Sequence, residues 1–206
     1  MMASPWIADQ PLLLASTSRT RLTLLVGAGL PVETQNPDID ERAVEAEGRA
    51  QDSAPTLLAR RLAAEKALAV SRRHPERLVL GADQILDCEG EILHKPADRA
   101  AAHAHLERLA GRTHALHSAA VLAQGGAVVD TVLDSAHLTM RTLDGRAIDR
   151  YLDLAGPDVW TSVGAYRLEG LGVHLFEKIA GDHFTILGLP LIPLLAALRR
   201  RGYLSF

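Results

Sequence analysis

Residues 77–96 read RLVLGADQILDCEGEILHKP, in which a carboxylate, Asp83, stands between an apolar run at 78–80 and a second at 85–88, and a cation, Lys95, follows a Glu89-Gly90 turn. Strand, acid, hairpin and lysine in that order set a carboxylate at a strand end and bring a basic side chain back towards it. Such a pair can hold a divalent cation and a phosphate together. The same pattern also describes a buried strand whose Asp caps the next turn. Three other clusters could share the chemistry. Ser16-Thr17-Ser18 precede an apolar helical stretch, where hydroxyls cap the helix. Outward N–H groups there, with Arg19 and Arg21 beside them, also make an anion site. Asp38, Asp40 and Glu41 crowd residues 36–41, either to share a metal or as a solvated loop ahead of a helix. Lys66 lies among core-facing helical positions, where an ammonium either snorkels to solvent or points into a cleft.

These residues need elements to position them. An apolar strand at 11–15 leads into a helix carrying Leu22, Leu24, Leu25 and Val26, ended by Gly29 and Pro31. From 55 to 71, Leu57, Leu58, Leu62, Ala63, Ala67 and Val70 recur at helical spacing. An alanine-rich helix over 98–109 stops at Gly111, and strands at 113–123 and 128–138 flank a Gly125-Gly126 turn. A helix over 144–154 is closed by Gly156-Pro157. Three glycines make 163–172 a loop with unusual backbone angles or close ligand approach. A strand over 173–179, a turn at Gly181-Asp182 and an amphipathic helix over 189–201 complete the chain. Strands and helices interleave, so the expected class is α/β.

Size and charge narrow the possibilities. A chain of 206 residues should bury roughly 70% of its unfolded surface, and one large domain over 1–206 is expected. Hydrophobic residues at 48% and charged residues at 23% argue against extended disorder. A net charge of -3 gives no general attraction to nucleic acid or to anionic membranes, so an anionic ligand must be met by local cations. The single cysteine, Cys88, excludes an internal disulfide and fits a reducing compartment. No apolar run approaches a membrane span and residues 1–10 lack a signal-peptide pattern, so a cytoplasmic location is expected. His103 with His105, and His114 with His117, are spaced to diverge on their elements, which argues against zinc. No Gly-x-Ser-x-Gly elbow, Walker A loop or Gly-x-Gly-x-x-Gly fingerprint is present. What remains is acids plus cations, a set that suits phosphate chemistry assisted by a hard metal.

With those pieces assembled, the chain resembles the Maf family of nucleoside triphosphate pyrophosphatases along nearly its whole length. The family's opening L-A-S-x-S-P-R-R is similar to Leu14-Ala15-Ser16-Thr17-Ser18-Arg19-Thr20-Arg21, its acidic pair to Asp40-Glu41, and its K-A pair to Lys66-Ala67. G-A-D stands as Gly81-Ala82-Asp83, K-P as Lys95-Pro96, and the S/A-G-R-T-H segment as residues 110–114. Later motifs resemble residues 163–170 and GDHFTILGLP at 181–190.

The resemblance implies a mixed twisted sheet flanked by helices around a central cleft, and a cytosolic homodimer. It also implies a divalent cation, Mg²⁺ or Mn²⁺, and cleavage of nucleoside triphosphates between the α- and β-phosphates. By the same resemblance Asp83 is general base or metal ligand, with Asp40 and Glu41 completing the carboxylates. Ser16, Ser18, Arg21, Lys66 and Lys95 clamp the triphosphate. Three positions separate the family's substrate branches: Arg, Thr and Gln for dTTP and UTP, against Trp, Gln and Glu for 7-methyl-GTP. This chain has Thr20, Gln84 and Glu169, so two of the three match the methylguanine branch. The family is also associated with inhibition of septum formation, which leaves a non-catalytic nucleotide-binding regulator as a second reading. A phosphomonoesterase using the same acids is a third.

Overall fold

The computed structural model describes residues 4–50 and 54–206, the side chains of residues 49 and 50 excepted. In order the elements are β1 (Leu12–Ala15), α1 (Arg19–Gly27), β2 (Val32–Thr34), α2 (Glu41–Ala50), α3 (Pro55–Arg73), β3 (Val79–Cys88) and β4 (Glu91–Leu93). They continue with α4 (Arg99–Leu109), β5 (Thr113–Gln124), β6 (Ala127–Met140), α5 (Gly145–Ala155), β7 (Phe176–Ala180), α6 (His183–Ile186) and α7 (Leu191–Arg200). The strands form one seven-stranded sheet, β2-β1-β3-β5-β6-β7, with β4 on β3. It is mixed: β1 runs parallel to β2 and β3, whereas β4 on β3 and β7 on β6 are antiparallel. No helix among the described residues is long and apolar enough to cross a membrane.

The chain divides into two compact units. The first comprises Met1–Gln84, Ser118–Asp134 and His183–Phe206. Its centre is β1, all four residues of which are buried because both faces are covered. Leu12 and Leu14 pack with Leu25 of α1 and with Leu194 and Leu198 of α7. Leu13 and Ala15, on the opposite face, cluster with Val79 and with Val70 of α3. A strand with parallel neighbours and helices on both sides reads as a continuous apolar run, which is why PLLLA is recognisable.

One close approach in this unit sets the position of everything that follows. A Cβ on Gly81 would lie 2.2 Å from the Ala63 carbonyl oxygen and 2.6 Å from the Ala67 nitrogen. Strand β3 and helix α3 therefore touch backbone to backbone, and only glycine fits.

The second unit comprises Ile85–His117 and Ser135–Asp182. Its β3–β4 hairpin turns through Glu89 and Gly90, both at positive φ (57° and 85°), the two-residue turn that matches strand twist. Asp87 Oδ1 accepts from the Gly90 N–H at 2.8 Å. The expected strand over 173–179 starts later. Residues Leu171–Leu175 form a 3₁₀ turn, and β7 begins at Phe176. Gly172 folds onto Arg167, its N–H donating to the Arg167 carbonyl at 3.1 Å, and that contact holds the segment out of the sheet.

Candidate active site

Asp83 lies inside β3, not at a strand end as the Gly81-Ala82 pair suggests, because the strand runs unbroken from Val79 to Cys88. Alternation along the strand aims residues 81 and 83 at the same face. Gly81 brings α3 onto that face, and Lys66, one helical turn past Ala63, meets Asp83 there. Lys66 Nζ donates to Asp83 Oδ1 at 2.5 Å, and the two residues are only 6% and 7% exposed. The same ammonium reaches Glu41 Oε1 at 3.0 Å, from the first turn of α2. Lys66 does not snorkel to solvent; its ammonium is buried between the carboxylates of Asp83 and Glu41.

At the start of α1 the hydroxyls and Arg21 form a second cluster. Ser18 is the N-cap, its side chain accepting from the Arg21 N–H at 3.4 Å. Ser16 Oγ accepts from the Ser18 N–H at 3.2 Å and from Arg21 Nη1 at 3.4 Å. Arg21 also donates through Nη1 to the Ala82 carbonyl at 2.9 Å and through Nε to the Gly188 carbonyl at 2.8 Å. The guanidinium is thus fixed against the residue before Asp83. Burial pulls its pKa down, against the opposing pull of Asp83 and Glu41. Arginine remains cationic under any such shift. Thr20 sits half-buried in the first turn of the same helix.

Of the acids at 38–41, Asp40 has a structural use: its Oδ1 accepts from the Ala43 N–H at 3.0 Å, as an N-cap of α2 does. Asp38 stands at positive φ (53°) and pairs with Arg73 at 3.3 Å. Glu41 alone of the three reaches Lys66. Gln84, next to Asp83, donates from Nε2 to Ser118 Oγ at 3.1 Å and to the carbonyls of Thr185 and Ile186 at 3.0 Å each.

Lys95 and Glu169 belong to the second unit. Lys95 is exposed just beyond β4. Glu169 Oε1 accepts from Arg167 Nε at 3.0 Å and Nη2 at 2.9 Å. The loop that carries them is tied down by Tyr166, whose hydroxyl meets His114 Nε2 at 2.7 Å, with Phe176 packed edge-on to the Tyr166 ring. His114 is 2% exposed, and burial lowers its pKa to about 4, so it is neutral near pH 7. Burial raises Tyr166.

Sequence reasoning did not find the Ser118–Thr185 partners of Gln84, or the pairing of His114 with Tyr166. Both His114 and Tyr166 stood inside quoted motifs, but partners 52 residues apart leave no local signal.

Two carboxylates on one lysine stand beside an arginine at a capped helix start. The family model for Maf-like proteins matches residues 11–201, and the chain belongs to that family. It is 53% identical over 200 residues to a nucleoside triphosphate pyrophosphatase of Nitrobacter winogradskyi, covering 97% of this chain and 98% of that protein. A nucleoside triphosphate pyrophosphatase of Rhodopseudomonas palustris is 52% identical over 97% of this chain and 98% of its own length. A 7-methyl-GTP pyrophosphatase of Mesorhizobium japonicum is 50% identical, over 94% of this chain and 97% of its own length.

Proposed function

We propose that this chain is a nucleoside triphosphate pyrophosphatase that releases pyrophosphate and a nucleoside monophosphate, and that it prefers a 7-methylated guanine base. The observation that carries the reading is the Glu41–Lys66–Asp83 cluster beside Arg21. It offers a carboxylate for water and two fixed cations for phosphate within one packed unit.

Asp83 is the proton acceptor for the attacking water, its second oxygen left for that purpose by the bond from Lys66 to Oδ1. Arg21 and Lys66 offset the charge that develops on the phosphates, and the first turn of α1 with Ser16 and Ser18 seats them. Lys95 is assigned to the same clamp by the family motif. The donor set fits a hard cation, being all carboxylate oxygen. Among the described residues no three acidic, histidine or cysteine side chains gather at ligand spacing. A hard divalent cation would be held by Asp83 and Glu41, with Asp40 nearest in sequence, and water and substrate phosphate would supply its other ligands, as is common for Mg²⁺. When bound it supplies Lewis-acid stabilisation of phosphoryl oxygens. Base preference is assigned to Glu169, whose carboxylate already takes a planar cationic fork from Arg167 and so suits the donor edge and positive charge of 7-methylguanine.

The test is pyrophosphate release from dTTP, UTP, CTP, GTP and 7-methyl-GTP with Mg²⁺ or Mn²⁺, and with neither. Turnover is expected to be fastest on 7-methyl-GTP, to need the cation, and to disappear in Asp83→Asn. Release of orthophosphate would select the phosphomonoesterase. Nucleotide binding without turnover would select a regulator.

A further inference from the structure

The loop that carries Glu169 is held on both sides of it. Before it, Gly164 and Ala165 both stand at positive φ (74° and 59°), and Ala165 is fully buried. A left-handed alanine persists only where its surroundings dictate it. A Cβ on Gly164 would lie 2.6 Å from Leu86 Cδ1 and 2.9 Å from Tyr166 Cε1, so those two side chains close over a glycine. Tyr166 then takes its bond to His114. Beyond Glu169, the Gly170 and Gly172 N–H groups both donate to the Arg167 carbonyl, at 3.2 and 3.1 Å. A Cβ on Gly172 would come within 2.4 Å of that oxygen, so the turn admits no side chain there.

A fixed backbone does not by itself aim the carboxylate. Leu168 is buried, whereas Arg167 is half-buried and Glu169 exposed. A glutamate on an exposed turn samples many rotamers, and ordering it against a ligand weakens binding by the freedom lost. Arg167 removes that freedom beforehand, its Nε and Nη2 both donating to Glu169 Oε1 at 3.0 and 2.9 Å. With side chains still 41% and 32% exposed, the pair adds little to stability. Its effect is on where the carboxylate stands.

We propose that Arg167 is a positioning residue that sets base preference, by holding Glu169 in the conformation that accepts from the guanine donor edge. The proposal rests on the assignment of Glu169 to the base. The guanidinium also cancels part of the carboxylate charge, which opposes attraction of a 7-methylated, cationic base. Solvent screening keeps that second effect small at so exposed a pair, so orientation outweighs it.

The experiment measures kcat and KM for 7-methyl-GTP and UTP with Mg²⁺ present, and uses tripolyphosphate, which has phosphates and no base, as a calorimetric ligand of the whole protein. In Arg167→Met, KM for 7-methyl-GTP is expected to rise about 3- to 10-fold. Its kcat, the KM for UTP and tripolyphosphate binding should hold, the pattern of a lost binding contribution equal in ground and transition states. Arg167→Lys, which restores the charge without the fork, should recover part of the loss and guards against a Met variant that fails to fold. On a Glu169→Ala background Arg167→Met should add nothing. A lower KM for 7-methyl-GTP in Arg167→Met would overturn the proposal, because charge cancellation would then outweigh orientation. An unchanged KM, or an equal loss on UTP or tripolyphosphate, would overturn it too. If Glu169→Ala keeps the wild-type base preference, the assignment of Glu169 falls and the role of Arg167 with it, a result visible before any Arg167 variant is made.

Discussion

The first unit buries a lysine and an aspartate as a charged pair, and the second buries a histidine and a tyrosine as neutral partners. Lys66 and Asp83 are 6% and 7% exposed, bonded to each other, with Arg21 held close by. His114 and Tyr166 are equally enclosed, but they share the Phe176 ring as a neighbour, and burial drives each towards its uncharged form. Desolvation is costly in both places. In the first, opposite charges offset it and leave fields that can act on a phosphate. In the second, the charges are given up, and a bond between neutral groups anchors a loop. Buried polarity thus takes two forms here, one that keeps its charges and one that gives them up.

Four changes break or sharpen this contrast. Lys66→Met should have the largest effect, because it leaves Asp83 as an unpaired buried carboxylate. Denaturant unfolding should show a loss of about 3–5 kcal/mol, and pyrophosphate release should fall at least roughly 100-fold. A fully active, equally stable variant would mean that the pair is not what sustains the charge. Gly81→Ala should come next. Its methyl meets the α3 backbone at 2.2 Å, and forcing helix and strand apart should cost about 1–3 kcal/mol, read as a lowered Tm. It should also lower activity, by moving Lys66.

The third change tests the neutral cluster by pH. His114 has a folded pKa of about 4 against roughly 6.5 in an unfolded chain. Between those values unfolding takes up a proton. Stability therefore rises with pH by at most about 1.4 kcal/mol per unit and levels off above pH ~6.5. His114→Gln should flatten that acid limb while leaving tripolyphosphate binding intact. A limb of unchanged slope would place the titration elsewhere. Asp40→Ala should have the smallest effect, about 1 kcal/mol from a lost helix cap. A loss of activity far beyond that, with a weaker response to added Mg²⁺, would show that Asp40 is a ligand as well as a cap.

Local signals made much of the fold legible in the sequence. β1 shows as an apolar run, α3 as a periodic one, and the hairpins at Glu89-Gly90 and Gly125-Gly126 as glycine turns between apolar stretches. Contacts distant in sequence decided the rest. Gly81 looks like a strand breaker until α3 is seen against it. That same contact settles the direction of Lys66, which helical periodicity leaves open. Val173 and Leu175 read as strand residues, but the fold-back of Gly172 onto Arg167 turns them into a 3₁₀ segment. α6 is too short to have a period. For the site, residue types in Ser16, Ser18, Arg21, Lys66 and Asp83 were visible one by one. Their joining through the carbonyls of Ala82 and Gly188 was not, since backbone acceptors carry no residue identity.

Cys88 gives the β3–β4 hairpin its own clock. It is the sole cysteine of the chain, fully buried, with burial raising its thiol pKa, and it pairs across the turn with Glu91. A thiol reagent can reach it only when this stretch opens, and every modified molecule reports that one event. Where modification outruns reclosing, the rate of labelling under native conditions counts the openings of this stretch, and it does so without an introduced probe.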